Sequence, residues 1–161
     1  MGKYFGTDGF RGEANVNLTA MHAFKVGRFI GWYYGRFHKC SVAIGKDTRR
    51  SSYMFEDALS AGLTSTGADV YLLHVTTTPS VSYVVKTENF DCGIMISASH
   101  NPFYDNGIKL INGKGEKMEQ EVIDEVEKYL DDDFDSIPYA TGDKIGRTVD
   151  YFAGRNRYMG Y

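Results

Sequence analysis

Cysteine, proline and long apolar runs are what this sequence has least of. Its two cysteines, Cys40 and Cys92, are far apart and form no CxxC pair. That excludes a disulfide framework and a cysteine zinc site, and leaves two ordinary buried thiols as the expectation. There are only three prolines against 18 glycines, so glycine supplies the tight turns and close backbone approaches. No run of about 18 apolar residues occurs, which excludes a hydrophobic membrane-spanning helix. The first residues lack the apolar core of a secretory signal, so a cytoplasmic protein is expected. Neither a repeat nor a low-complexity tract is present.

What is there describes a globular domain. The chain has 161 residues, 42% of them apolar, 24% charged and 14% aromatic. That is about one domain by length, large enough to bury roughly 70% of its unfolded surface. The net charge of −3 conceals an asymmetry. Residues 1–52 hold nine basic and three acidic residues, or +6, and the remainder holds nine basic and eighteen acidic, or −9. Much of the negative charge falls in 116–135, with ten acids and two lysines, a pattern of a solvated helix face running into a linker. The positive front suits an anionic, phosphate-bearing ligand.

Periodicity organises the chain. Thr19 reads as the N-cap of a first helix whose small and apolar positions include Ala20, Ala23, Phe24, Gly27, Ile30, Gly31 and Tyr34, with Gly27, Gly31 and Gly35 permitting close packing. Val42-Ala43-Ile44 is a short buried strand, and Lys46 to Ser52 a charged loop. A second helix follows from Met54 to near Gly67, then a strand over Val70 to Leu73. Thr78-Pro79 reads as N-cap and N1 of a short third helix. Cys92 to Ile96 and Gly107 to Ile111 are further apolar strands, with Asn112-Gly113 as a turn. Met118, Val122, Ile123, Val126 and Leu130 make the apolar side of a last helix. The alternation implies an α/β fold, a three-layer α/β/α sandwich with a mixed, mostly parallel sheet of about four strands and helices on both faces. Residues 1–140 are taken as the domain, and 141–161 as a linker and the start of a second one.

Three loops carry candidate chemistry: Gly6-Thr7-Asp8-Gly9-Phe10-Arg11-Gly12, Gly45-Lys46-Asp47-Thr48-Arg49, and Ser97-Ala98-Ser99-His100-Asn101-Pro102 with Asn106-Gly107-Ile108-Lys109 behind it. A hydrolase serine is disfavoured at Ser99, because GxSxG is absent and His100 adjoins it in sequence, where a side chain points away from its neighbour. No Walker loop occurs, and Gly6 to Gly12 fails the dinucleotide pattern. His22, His38, His74 and His100 lack ligand spacing, and only His100 sits in a loop with chemistry. The aromatic run Phe29, Trp32, Tyr33, Tyr34 and Phe37 reads as core or an interface, not a nucleic-acid platform. Neither nucleic acid nor membrane is an expected partner.

Together, in this order, the three loops with Thr78-Pro79 resemble the N-terminal domain of the α-D-phosphohexomutases, most closely the bacterial phosphoglucosamine branch, in which the loop typically begins with serine as Ser97 does. Ile145-Gly146-Arg147 and Ala153-Gly154-Arg155 extend the likeness. The resemblance implies that Ser99 is the phosphoserine. Lys109, His100 and Arg11 are then the candidates for acid, base and charge clamp, Arg11 better as clamp since guanidinium does not deprotonate. Thr7, Asp8, Arg11, Lys46, Arg49 and Asn101 are the candidates for binding substrate phosphate. It implies Mg2+ held partly through the phosphoserine oxygen, a 1,6-bisphosphate of glucosamine or glucose, or a kinase, to prime Ser99, and a phosphosugar substrate. Interconversion of glucosamine 6-phosphate and glucosamine 1-phosphate is the implied reaction, with phosphomannomutase, phosphoglucomutase or a non-catalytic phosphosugar-binding module as alternatives. The family has about four domains, whose Asp-Gly-Asp-Gly-Asp, Gly-Glu-x-Ser-Gly and phosphate-binding Arg/Ser/Thr loops are not found here. Contact with such domains, a possible homodimer, an inactive isolated fragment and exposed Tyr and Phe side chains are the remaining expectations.

Overall fold

The computed structural model describes residues 2–152. Ten elements build it: β1 (Phe10–Glu13), α1 (Ala20–Tyr34), β2 (Ser41–Lys46), α2 (Arg50–Thr64), β3 (Asp69–Val75), α3 (Thr78–Thr87), β4 (Cys92–Ile96), β5 (Asp105–Asn112), α4 (Gln120–Asp131) and β6 (Thr148–Asp150), with one 3-10 turn at Gly142–Lys144. They form one sheet of order β1-β5-β4-β2-β3-β6. β2 is parallel to both β3 and β4, β6 is parallel to β3, and β5 is antiparallel to β4 and β1.

The sheet therefore has six strands where about four were expected, and the two added ones explain why. β1 has four residues, two of them Gly12 and Glu13, and β6 has three. Neither is long enough to carry an alternating pattern, and each pairs at an edge because the neighbouring strand offers free backbone groups. The parallel core, the mixed character and the helices on both faces are as the periodicity implied. The sheet also continues past residue 140, since Val70, Tyr71 and Leu72 pair with Thr148, Val149 and Asp150. The motif Ala153-Gly154-Arg155 lies outside the described residues.

Two apolar clusters show the layering. α1, α2 and α4 pack on one face against Val42, Ile44, Val70, Cys92, Ile94, Ile96, Ile108 and Leu110. α3 covers the other face alone, against Ala43, Leu73, Met95 and Ile111. Alternate residues of β2 and β4 thus feed opposite clusters, as the period-2 pleat requires. Three helices against one leaves the α3 side thinly covered, and there the sheet has room for a site.

The α1–α2 contact depends on missing side chains. A Cβ on Gly27 would stand 2.5 Å from the Leu59 carbonyl oxygen, and one on Gly62 only 2.1 Å from that of Phe24. The two backbones can meet only as glycine. Leu59, fully buried at this contact, would cost about 2–5 kcal/mol if truncated to alanine.

Helix starts follow local chemistry. The Thr19 hydroxyl accepts the His22 N–H at 3.2 Å, and His22 Nδ1 returns the bond to the Thr19 N–H at 3.1 Å, so His22 serves a capping box. α3 is capped by Thr77, which accepts from the Ser80 N–H, one residue before the expected Thr78. The run Thr76-Thr77-Thr78 offers three equivalent hydroxyls, so spacing alone does not choose. α2 begins at Arg50, inside the expected charged loop, because Asp47 organises the turn by accepting the Arg49 N–H at 3.1 Å and the Ser52 hydroxyl at 2.6 Å.

His38 and His74 pair with Asp91 and Asp150. Cys40 and Cys92 are buried and unbridged, and burial raises both thiol pKa values, that of Cys40 to about 12. Phe29 is in the core, whereas Phe37 and Phe103 stand in solvent. Among the described residues no helix is long and apolar enough to cross a membrane.

Candidate active site

The carboxyl ends of β2 and β4 lie side by side, since Lys46 pairs with Ile96, and the loops that leave them meet at one edge of the sheet. Open α/β sheets generally place ligand-binding loops at this edge. The loop after β4 carries Ser99. β5 then turns back antiparallel, which sets Lys109 opposite Met95, and β1 sets Arg11 opposite Gly107. Paired residues share a face. Met95 belongs to the α3 cluster, so Lys109 and, two positions along β5, the Gly107–Arg11 pair face the thinly covered side.

A cleft of about 410 Å³ opens there. Ser97, Ser99, His100 and Asn101 line it from the loop, Arg11 and Lys109 from the strands, Asp8 from the turn before β1, and Thr78 from the start of α3. The N-terminal end of α3 adds a partial positive charge. A smaller cleft of about 240 Å³ adjoins it, sharing Thr78 and Lys109 and adding Thr7 and Lys117.

Within the cleft the groups are set for an anion. Ser99 and His100 are exposed, while Arg11 and Lys109 are half-buried. Arg11 donates from Nη1 to the Asn101 side-chain oxygen at 3.3 Å, and its Nε is buried without a partner. Asn101 in turn donates to Asp105 at 3.3 Å. A Cβ on Gly107 would meet Arg11 Cγ at 3.0 Å and the Ser97 carbonyl oxygen at 2.7 Å, so the bare glycine is what lets Arg11 lie across the strand towards the loop. Among the described residues no acid forms an ion pair with Arg11, His100 or Lys109. All three are left open to a ligand.

Ser99 has φ of +56°, a left-handed conformation that non-glycine residues adopt only when their surroundings enforce it. Its N–H donates to the Ser97 hydroxyl at 3.0 Å, and the Asn101 N–H closes the turn on the Ala98 carbonyl at 3.0 Å. The side chain of Ser99 is left facing the open cleft.

Two expected phosphate ligands are placed elsewhere. Lys46, at the end of β2, is 2% exposed and binds Glu56 at 2.8 Å, with its ammonium over the Tyr53 ring. Arg49 does not line the cleft. It donates to Asp47 and to main-chain carbonyls of the Ser99 loop. Thr7, Asp8, Arg11 and Asn101 do line the two clefts. Thr78 and Ser97 also line them, although the sequence marks Thr78 only as a helix start and Ser97 only as a family residue. A helix-starting Thr-Pro after a strand was the signal available for Thr78.

The donor set does not make a magnesium site by itself. Among the described residues no three His, Cys, Asp or Glu side chains cluster to hold a metal. Among the described residues Asp8 is the one carboxylate lining the cleft beside Ser99, and a hard divalent cation would require further oxygen ligands, such as a phosphoryl group.

Comparison with known proteins bears on the fold and the family. Residues 2–135 match the family model for phosphoglucomutase/phosphomannomutase, alpha/beta/alpha domain I. The whole chain is 76% identical to a phosphoglucosamine mutase of Lachnospira eligens and 71% identical to one of Lachnoclostridium phytofermentans, and spans 36% of the length of each. Among solved structures, a Thermus thermophilus protein assigned as a phosphomannomutase superposes with a TM-score of 0.75 at 28% identity, over 91% of this chain and 33% of that one. A phosphoglucomutase/phosphomannomutase family protein of Burkholderia thailandensis shares the fold, with a TM-score of 0.73 at 22% identity over 96% of this chain and 34% of that one. The chain belongs to the phosphoglucomutase/phosphomannomutase family, matching its α/β/α domain I.

Proposed function

We propose that this chain is the phosphoserine-bearing domain of a cytoplasmic mutase that interconverts glucosamine 6-phosphate and glucosamine 1-phosphate. The carrying observation is the cleft in which the exposed Ser99 meets three basic side chains, Arg11, His100 and Lys109, none paired with an acid among the described residues. A phosphoserine brings about −1.5 to −2 charges and three acceptor oxygens, and such a cleft answers that need.

In the first half-reaction a sugar hydroxyl attacks the phosphorus of phosphorylated Ser99. The Ser99 Oγ–P bond breaks, the sugar O–P bond forms, the sugar hydroxyl proton passes to a base, and the departing Ser99 Oγ takes a proton from an acid, His100 and Lys109 being the candidates for these two roles. The resulting 1,6-bisphosphate turns over, and Ser99 Oγ gives its proton to the base and attacks the other phosphate; that sugar O–P bond breaks, the sugar oxygen is protonated, and the isomeric monophosphate leaves with Ser99 phosphorylated again. Arg11 clamps charge throughout, a role suited to a group that does not deprotonate. Mg2+, bound to the phosphoserine oxygen with its carboxylates from elsewhere in the protein, would neutralise the transferring group. The cleft must accept phosphate from either end of the sugar, consistent with cations on several elements.

The choice of sugar follows the relatives at 71–76% identity, which are named for glucosamine. Because this chain spans about a third of their length, the sugar-reading and metal-binding parts are proposed to lie in further domains, and the isolated chain to turn over poorly. The test is an assay of the full-length protein with glucosamine, mannose and glucose phosphates, together with intact-mass measurement of Ser99 phosphorylation. Preference for the aminosugar and one phosphate that disappears in Ser99→Ala are expected. A preference for mannose or glucose phosphate moves the assignment to a sister activity, and phosphate never found on Ser99 refutes the mechanism.

A further inference from the structure

Arg49 was expected as a phosphate ligand, and its geometry gives it other work. Nη2 donates to the carbonyl oxygens of Ser99 and Asn101, both at 2.9 Å. Nη1 donates to those of Asp105 at 3.0 Å and Pro102. Nε donates to Asp47 at 3.0 Å. Every nitrogen of the fork is used, four of its bonds falling within the seven residues 99–105, and the guanidinium lies outside the cleft lining.

Four carbonyl dipoles converging on one point repel one another unless a cation sits at their centre. The loop between β4 and β5 is therefore wrapped around Arg49, and one of the gripped carbonyls belongs to Ser99, the residue whose φ of +56° requires outside support. The support is itself anchored. Asp47 joins Arg49 to the Ser52 hydroxyl, which accepts from the Asn106 side chain at 3.0 Å, and Asn106 accepts the Gly107 N–H at 2.8 Å. The start of α2 thus holds the Ser99 turn through Arg49 and the first residues of β5 through Asn106.

We propose that Arg49 is a positioning residue that holds Ser99 in its left-handed, outward conformation and thereby fixes the position of the reacting oxygen, without binding substrate. This rests on the phosphoserine reading above. Only a planar fork reaches four carbonyls at once, so lysine does not substitute.

The test uses the full-length protein as wild type, Arg49→Ala, Arg49→Lys and Ser99→Ala. For both Arg49 variants kcat is expected to fall on the order of a hundredfold, the cost of a small misplacement of a reacting group, with KM for the sugar phosphate little changed. Amide exchange over residues 98–105 is expected to quicken while exchange in the β2 and β4 core stays as in wild type. Millimolar guanidinium is expected to restore part of the turnover of Arg49→Ala. A raised KM with unchanged loop exchange would make Arg49 a substrate ligand and overturn the proposal, as would full rescue by lysine. Phosphate on wild-type Ser99 with undiminished turnover in Arg49→Ala overturns the role of Arg49 alone. An active wild type with no phosphate on Ser99 overturns the phosphoserine reading, and this role with it.

Discussion

Two arginines in this molecule do the same thing at opposite purposes. Arg28, fully buried on α1, donates to Asp135 at 2.9 and 3.2 Å, to the Ser65 hydroxyl at 3.2 Å, and to the carbonyls of Pro138 at 3.3 Å and Ile137, with Tyr139 stacked 3.7 Å from its guanidinium carbon. Arg49 likewise combines one carboxylate, Asp47, with several main-chain carbonyls. Arg28 straps down the segment after α4, which carries no chemistry. Arg49 holds the turn that presents Ser99. An arginine bound to carbonyls is thus a staple wherever it sits, and its functional weight is that of the segment it holds. The lysines divide in the same way: Lys46 is consumed by Glu56, and Lys109 faces the cleft.

The largest effect that would break this comparison is loss of the buried staple. Arg28→Met strips hydrogen bonds from Ser65, two carbonyls and the exposed Asp135, and is expected to cost about 3–5 kcal/mol in urea unfolding, chiefly through the unpaired carbonyls and the lost packing of the buried Arg28 side chain. A near-neutral outcome would show the strap held by Ile137 and Tyr139 packing instead. Lys46→Met, leaving Glu56 buried alone, is expected to cost about 3 kcal/mol or more, and Lys46→Met with Glu56→Leu to recover most of it. If the double variant stays as unstable as the single, the pair does more than neutralise itself.

Lys109→Met sharpens the other side. Stability is expected to stay within about 0.5 kcal/mol of wild type, whereas binding of a sugar phosphate to the full-length protein, followed by calorimetry, weakens severalfold. An unfolded variant would make Lys109 a structural cation like Lys46.

The smallest effect is in acid. Burial acts to raise the Asp135 pKa, but the nearby Tyr129 hydroxyl and the hydrogen bonds from Arg28 and the Ile137 N–H outweigh it and hold the carboxyl below its usual value of 3.8. A depressed carboxylate contributes stability that is present above the unfolded pKa and is lost as pH falls through the folded one. The urea midpoint of wild type is therefore expected to exceed that of Asp135→Asn near neutrality and to converge on it as pH drops below about 4. A constant gap would remove the charge on Asp135 from the account.

The sequence made the central layers legible and the edges not. Val42-Ala43-Ile44 and Cys92 to Ile96 could be read as strands because both faces are buried, and the α4 stripe because it repeats at helical spacing. β1 and β6 are set by a partner strand and leave no local pattern. At the site, loop composition located Ser99, Arg11 and Lys109 as candidates, but it gave Lys46 and Arg49 the same standing. Telling a free cation from a satisfied one depends on what packs against it, and Glu56 and the carbonyls of residues 99–105 are distant in sequence from the groups they occupy.

On the proposed phosphoserine reading, the left-handed turn at Ser99 also restricts which amino acids could hold a phosphoryl group there. A β-branched side chain is strongly disfavoured at positive φ, whereas Asn and Asp tolerate it. Threonine, although it carries a hydroxyl, would have to leave this backbone conformation. Aspartate could keep it, and would place a permanent negative charge where the proposed phosphoserine would place a transient one. Backbone geometry, before any chemistry of the hydroxyl, favours serine as the carrier and aspartate as its fixed-charge substitute.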